Sequence, residues 1–291
     1  MHTPNPVSLA AKMSGEPEFR EIGVGPWAEV HPDEPRPDNP ASPNYDARLD
    51  PQLLDEGDRR NVLDRYRYWS VAAIKADLDA RGRHDFEVAV ENWTHDFNIG
   101  SMVRTANAFQ ARRVHIVGPH KWNRKGALMT ELYQHVENHP SISELVECWH
   151  NRIAGEIAYE RARAGAAAIA AHHIAASANG QAQAGKAVGA VAQATADIAR
   201  ADARIRELEA ARVIALDIIP GAVPIETYHF PKRCLLLFGA EGPGLSDKAL
   251  ELADDVVYIS QFGSVRSINA GAAAAVAMHS YIAQHAVVAS V

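Results

Sequence analysis

Cysteine is nearly absent. The 291 residues hold two, Cys148 and Cys234, too few for a disulfide scaffold or a cysteine-based zinc site. Long apolar runs are missing as well. No uninterrupted stretch reaches the roughly 18–20 residues of a membrane span, and the N-terminus lacks a signal-peptide core. No membrane partner is therefore expected, and the chain reads as cytoplasmic. Neither phosphate-binding glycine fingerprint is present, which disfavours an ordinary nucleotide-binding enzyme with a doubly wound fold. A positive charge excess is also lacking. The formal net charge is −7, which excludes a protein that coats nucleic acid indiscriminately. What remains is a composition of 47% hydrophobic and 22% charged residues, ordinary for a globular protein and incompatible with wholesale disorder.

The charge is uneven. Residues 1–50 carry 4 Lys+Arg against 9 Asp+Glu, and 10 of the 16 prolines fall at or before Pro51. Such a segment has few backbone donors and little to bury, so residues 1–50 are expected to form an extended or disordered arm. Residues 51–84 are read as a helical extension. A second unusual stretch, residues 151–210, holds 23 alanines. Its second half carries Val191, Ala194, Ile198, Ala201, Ile205 and Leu208 at heptad spacing, and Ser177–Gly180 offers a helix stop. A helical hairpin inserted into a larger domain over 85–291 is the preferred reading. A flexible alanine-rich linker is the alternative.

Elsewhere strands and helices alternate. Strands are expected at Phe86–Glu91, Arg113–Gly118, Arg212–Ile218, Cys234–Phe238 and Val256–Ser260. Helices are expected at Gly100–Phe109, Ser141–Trp149, Ser246–Ala253 and Ser267–Val288. Short apolar strands separated by helices imply an α/β fold with a mainly parallel sheet covered on both faces. In such folds ligands sit beyond the carboxyl ends of the strands.

Three strand-end loops stand out. Asn98-Ile-Gly100 leads into a helix bearing Arg104, whose forked guanidinium suits phosphate. Phe238-Gly239-Ala-Glu241-Gly-Pro-Gly244 is a glycine-rich turn, with Ser246 placed to cap the next helix. Ile259-Ser-Gln-Phe-Gly263 and Ser267-Ile268-Asn269 then open a helix rich in small residues. Each alone occurs by chance: the first as an amphipathic helix with one Arg, the second as a tight connection, the third as a core helix.

Together and in this order, the loops closely resemble the three signature motifs of the SpoU (TrmH-like) branch of the SPOUT superfamily of RNA methyltransferases. Asn98, Gly100 and Arg104 match the first motif; Phe238, Gly239, Glu241 and Gly244 match the second. Ile259, Gly263, Ser267 and Asn269 match the third, whereas Ser260, Gln261, Ile268, Ala270 and Gly271 replace its usual Pro, Met, Leu, Val and Ser. The resemblance covers about half of the chain.

The resemblance implies a C-terminal trefoil knot, a homodimer, and methyl transfer from S-adenosylmethionine to a ribose 2′-hydroxyl of tRNA or rRNA. It assigns cofactor binding to Gly239, Gly244, Ile259, Gly263 and Ile268. Arg104 would stand at the reactive centre, within a polar frame of Asn98, Glu241, Ser267 and Asn269. No metal is expected, because the sulfonium is already activated and the fourteen histidines show no paired metal spacing. Basic residues interleaved with aromatics mark two candidate RNA contacts, Arg65 with Arg67 and Lys121 with Arg124 and Lys125. Tyr66 and Trp69 also fit one helix face, so some of these aromatics are equally readable as core. The departures in the third motif keep a second reading open: a catalytically inactive RNA-binding or assembly protein on the same scaffold.

Overall fold

The computed structural model describes residues 5–15, 22–93, 98–177, 181–240 and 242–287. The chain divides into two units, residues 1–74 and 75–291.

The first unit holds helices α1 (Pro6–Met13), α2 (Trp27–Val30) and α3 (Pro51–Glu56) and the start of α4 (Val71–Ala80). Residues 22–50 correct the expectation of an extended or disordered arm. They form turns in which proline carbonyls, still good acceptors, are used by neighbouring donors. Asn44 Nδ2 donates to Pro35 O and the Asp46 N–H to Pro37 O, each at 2.8 Å. Arg36 donates to Asp38 Oδ1 at 2.8 Å and to Pro51 O at 3.1 Å. The hub of this unit is Asp58, fully buried. Its carboxylate accepts from Arg60 Nε at 2.8 Å, Arg60 Nη2 at 2.7 Å and the Tyr68 N–H at 2.9 Å. Tyr68 meets it with φ of +62°, a region that bulky residues rarely occupy.

The second unit is built on a parallel sheet. Along the chain come β1 (His84–Glu91), α5 (Ile99–Ala108), β2 (Ala111–Val117), β3 (Val136–His139), α6 (Ile142–Ala176), α7 (Gln181–Glu209), β4 (Arg212–Leu216), β5 (Val223–Pro224), β6 (Cys234–Phe238), α8 (Asp247–Leu252), β7 (Asp255–Tyr258) and α9 (Ala270–His285). The seven strands lie in the order β3-β2-β1-β6-β4-β7-β5, every pair parallel. Side chains alternate between the faces. Phe86, Val88, Val90, Ile214, Leu236 and Phe238 share a core with residues of α5 and α9. Ala89, Val117, Val213, Ala215, Leu235 and Leu237 share another with α6, α8 and Leu208 of α7.

The alanine-rich stretch is helical in both halves, and its first half belongs to a longer helix. The expected helix at Ser141–Trp149 continues without a break to Ala176, since no proline interrupts it and Gly155 and Gly165 face open space. The helix stop expected at Ser177–Gly180 lies largely outside the described residues. Along α7 the residues buried at seven-residue intervals are Ala187, Ala194, Ala201 and Leu208, one of the two columns that heptad spacing predicts. Glu156 and Arg204 pair across the helices at 3.4 Å.

A polar layer lies on the α6 face of the sheet. Glu87, His115 and Arg233 are all fully buried. Glu87 accepts from Arg233 Nη2 at 2.6 Å and bonds His115 Nε2 at 2.7 Å. Burial alone would push its carboxyl up, but the His115 hydrogen bond and the Arg233 charge outweigh that and hold it far below the usual carboxylate range.

Two outcomes follow from this architecture. In the first unit, burial raises the Asp58 carboxyl, while the Arg60 guanidinium and the backbone donors more than reverse that and leave it lowered. A depressed folded value contributes stability above the unfolded value, near 3.9, that is lost as the pH falls through the folded one. Asp58→Asn should therefore destabilise the unit by about 3 kcal/mol at neutral pH. That gap should close below about pH 4, read by hydrogen exchange of residues 22–70. In the second unit, the far halves of α6 and α7 bury only alanines among the described residues, Ala171, Ala187 and Ala194. Replacing residues 164–198 by a short glycine-serine link should remove helical circular dichroism while moving the melting temperature by less than about 4 °C.

Candidate functional site

A cavity of about 570 Å³ opens beyond the carboxyl ends of β4, β6 and β7. Residues 216–218, 238–240, 242–244, 257–259, 261, 266–270 and 273 line it. This is where a parallel sheet presents its free loop ends.

The loop after β6 is folded against itself. A Cβ on Gly239 would lie 2.0 Å from the Gly244 carbonyl carbon and 2.3 Å from Leu245 N, so no other residue fits there. The Gly244 N–H donates to Ala240 O at 3.0 Å, with Gly244 itself at φ +76°. Ser246 caps α8 through its Oγ, which accepts from the Ala249 N–H at 3.1 Å. A buried carboxylate holds this turn from below. Glu91, at the end of β1, accepts from Ser246 N at 2.7 Å, Ser246 Oγ at 2.8 Å and Trp93 Nε1 at 3.0 Å. Asp217, at the end of β4, accepts from the Ile218 N–H at 2.7 Å and places its carboxylate at the cavity wall.

The loop before α9 meets the start of α5. Asn269 Oδ1 accepts from the Ala272 N–H at 3.2 Å, capping α9, while its Nδ2 donates to Asn98 Oδ1 at 2.9 Å. A Cβ on Gly271 would come within 2.7 Å of Ser101 Oγ. A serine there would require the Ser101 hydroxyl to turn aside, and glycine avoids that contact. Ser260 replaces a proline of the motif and uses both donors this allows. Its N–H and Oγ donate to Glu226 at 3.2 and 2.9 Å, an anchor that proline, with neither N–H nor hydroxyl, could not supply. These two departures are thus accommodated by their neighbours.

Of the expected cofactor residues, Gly239, Gly244, Ile259 and Ile268 line the cavity, and Gly263 stands exposed on the adjoining loop, outside the lining set. Ser267 and Asn269 line it as well, and Asn98 is joined to it through Asn269. Glu241 lies outside the described residues. Arg104 projects from α5 with an exposed side chain and is not part of the cavity wall.

Gly100 permits a close backbone approach within the chain. A Cβ there would lie 2.8 Å from Asn123 O and 2.9 Å from Ala127 N. It lets the 3₁₀ turn Arg124–Ala127 pack against the first turn of α5. That packing carries Lys121, Arg124 and Lys125, all exposed, to the helix that bears Arg104. Trp122 is partly buried against the core, with the Arg124 guanidinium 5.8 Å above its ring. In the other cluster Tyr66 is buried and Trp69 half-buried, their ring centroids 5.3 Å apart, but the segment forms a 3₁₀ turn at Asp64–Tyr66 and not the single helix face expected. Arg67 Nη1 donates to Arg60 O at 2.8 Å, and Arg65 stacks 4.8 Å over the Tyr66 ring.

Residues that sequence reasoning missed are Glu91, Asp217 and Glu226. The only available signal was their position at or near strand ends, which does not separate a loop brace from a solvated carboxylate.

Comparison with known proteins bears on the same loops. Residues 150–279 match the SpoU rRNA Methylase family, a span holding the second and third motifs but not the first. Over 81 residues the chain is 36% identical to the tRNA (guanosine(18)-2′-O)-methyltransferase of Saccharomyces cerevisiae, covering 28% of this chain and 6% of that protein. The chain thus spans a small fraction of the curated relative it matches. Among solved structures, AviRb, a SpoU methyltransferase from Streptomyces viridochromogenes in complex with AdoMet, is 21% identical with a TM-score of 0.47, over 72% of this chain and 64% of that one. The A. aeolicus TrmH/SpoU tRNA modifying enzyme is 14% identical with a TM-score of 0.48, over 74% and 81%. The span that matches the SpoU rRNA Methylase family, somewhat less than half of the chain, carries both the glycine turn after β6 and the loop that opens α9.

Proposed function

We propose that this protein transfers a methyl group from S-adenosylmethionine to a ribose 2′-hydroxyl of tRNA or rRNA. The observation that carries the reading is the cavity whose rim is formed by the glycine turn after β6 and the loop before α9. Its lining offers main-chain groups at Gly239, Ile259 and Ile268 for an adenosine. Asp217 supplies a carboxylate suited to ribose hydroxyls or an amino group. When bound, S-adenosylmethionine supplies a methyl group on an already electrophilic sulfonium, so the transfer needs no metal.

The chain's own residues then have an orienting task. Arg104 presents five donors in a rigid fork. It is suited to hold an RNA phosphate and bring the 2′-hydroxyl into line, rather than to take its proton, because a guanidinium offers donors and no acceptor. Asn98 and Asn269, hydrogen-bonded to each other, fix the start of α5 relative to α9. Lys121, Arg124 and Lys125, carried to the same helix by the Gly100 contact, add the phosphate grip that a negatively charged chain needs locally. The reading includes a C-terminal trefoil knot, a homodimer, and α6–α7 as a helical insert in the methyltransferase domain. The accommodation of Ser260 and Gly271 favours turnover over the inactive scaffold.

Arg104→Ala should lower the rate of methyl transfer to bulk tRNA or rRNA by about 100-fold or more. Calorimetry should show S-adenosylmethionine affinity nearly unchanged; full activity in this variant would refute the assignment. Gly239→Ala should do the reverse, weakening cofactor binding more than tenfold, on the order of 1.4 kcal/mol or above. Mapping 2′-O-methylation in cellular RNA with and without the protein identifies the substrate.

A further inference from the structure

The α6 face of the sheet brings together three ligating atoms that lie far apart in sequence. Parallel pairing sets His115 of β2 opposite Glu137 of β3, with His139 two residues on. His115 Nδ1 and His139 Nε2 are 3.0 Å apart, and Glu137 Oε2 lies 3.6 Å from the first and 3.8 Å from the second. His115 is fully buried and His139 is 7% exposed.

The outer nitrogens of both rings are already committed. His115 Nε2 faces Glu87 Oε2 at 2.7 Å, and His139 Nδ1 faces Glu144 Oε2 at 2.7 Å. A carboxylate can only accept, so each ring carries its hydrogen on the outer nitrogen. Two neutral rings in that tautomer would point bare lone pairs at each other across 3.0 Å. The arrangement calls for a cation between them. The third atom indicates which kind. A triangle with sides of 3.0, 3.6 and 3.8 Å has its equidistant point about 2.0 Å from each corner, the bond length of zinc to imidazole nitrogen and carboxylate oxygen. A shared proton would need only the two nitrogens and would give Glu137 no part. Arg113 Nε and Arg152 Nη2 donate to Glu137 Oε1 and Oε2 at 2.8 and 2.9 Å, and a second lone pair on Oε2 stays free for coordination.

We propose that His115, Glu137 and His139 bind one divalent transition-metal ion of the zinc class. Glu87 and Glu144 orient the two histidines, as carboxylates do for metal-bound imidazoles. The ion ties edge strand β3 to β2, and through Glu144 to the first turns of α6. It is structural and separate from methyl transfer, which needs none. The sequence hides the site because its ligands meet only through strand pairing.

The test uses the full chain, stripped with a chelator and titrated with Co²⁺ and then Zn²⁺. One Co²⁺ per chain should bind with the visible absorption of a low-coordinate nitrogen-oxygen site, and Zn²⁺ should displace it and raise the unfolding temperature. Glu137→Gln, on a partly exposed position, should weaken binding about tenfold or more. His139→Ala should abolish it, and His150→Ala, on the exposed side of α6, should leave it unchanged. Substoichiometric binding by the wild-type chain, or equal affinity in Glu137→Gln, would overturn the site. So would ¹⁵N spectra showing one proton shared between His115 and His139 that persists in excess Zn²⁺.

Discussion

The buried carboxylate of Glu87 is the constraint around which the sheet is organised. It lies in the middle of β1, fully enclosed, and it draws four partners from three other parts of the fold: Arg233 preceding β6, His115 and, more distantly, Arg113 of β2, and Arg152 of α6. A lone carboxylate there would cost several kcal/mol. Each partner must therefore be in place, which sets how β1, β2 and β6 are aligned and where α6 crosses them. The apolar residues on either side supply most of the burial energy but would tolerate other registers. The charged layer does not.

The same logic is repeated at the strand ends. Glu91 and Asp217 hold the glycine turn after β6, and Glu226 holds the start of the loop after β7. Each is a carboxylate that accepts backbone N–H groups and so converts a flexible loop into a fixed wall of the cavity. The cavity's shape then rests on acidic residues, while the basic residues Arg104, Lys121, Arg124 and Lys125 stay exposed. This division reconciles a net charge of −7 with an RNA-directed reading. Much of the negative charge is used internally or sits in the first fifty residues, and the positive charge near α5 is left outward.

Much of the fold is legible in the sequence where burial is two-sided. β1, β2, β4, β6 and β7 appear as short apolar runs because both of their faces are covered. β3 and β5 do not. They are the two edges of the sheet, and Val-Glu-Asn-His and Val-Pro carry too little apolar signal to be read as strands. The length of α6 was obscured because alanine-rich composition signals helix without marking where one helix ends and another begins. The proline-rich segment was misjudged for a related reason: counting missing donors ignores the carbonyls that remain as acceptors.

The sequence by itself determined the motif residues, their order, and their place at strand ends, since those depend on local patterns of apolar runs, glycine and cap residues. Only the tertiary structure decided what each one touches. It showed that Gly239 is required by Gly244, that Gly100 serves the 124–127 turn, and that Gly271 makes room for Ser101. It also brought His115, Glu137 and His139 to one point. The physical reason is common to all of these. Strand pairing and loop crossing join residues as much as 170 positions apart, as Ser101 and Gly271 are, and no spacing rule along the chain carries that information.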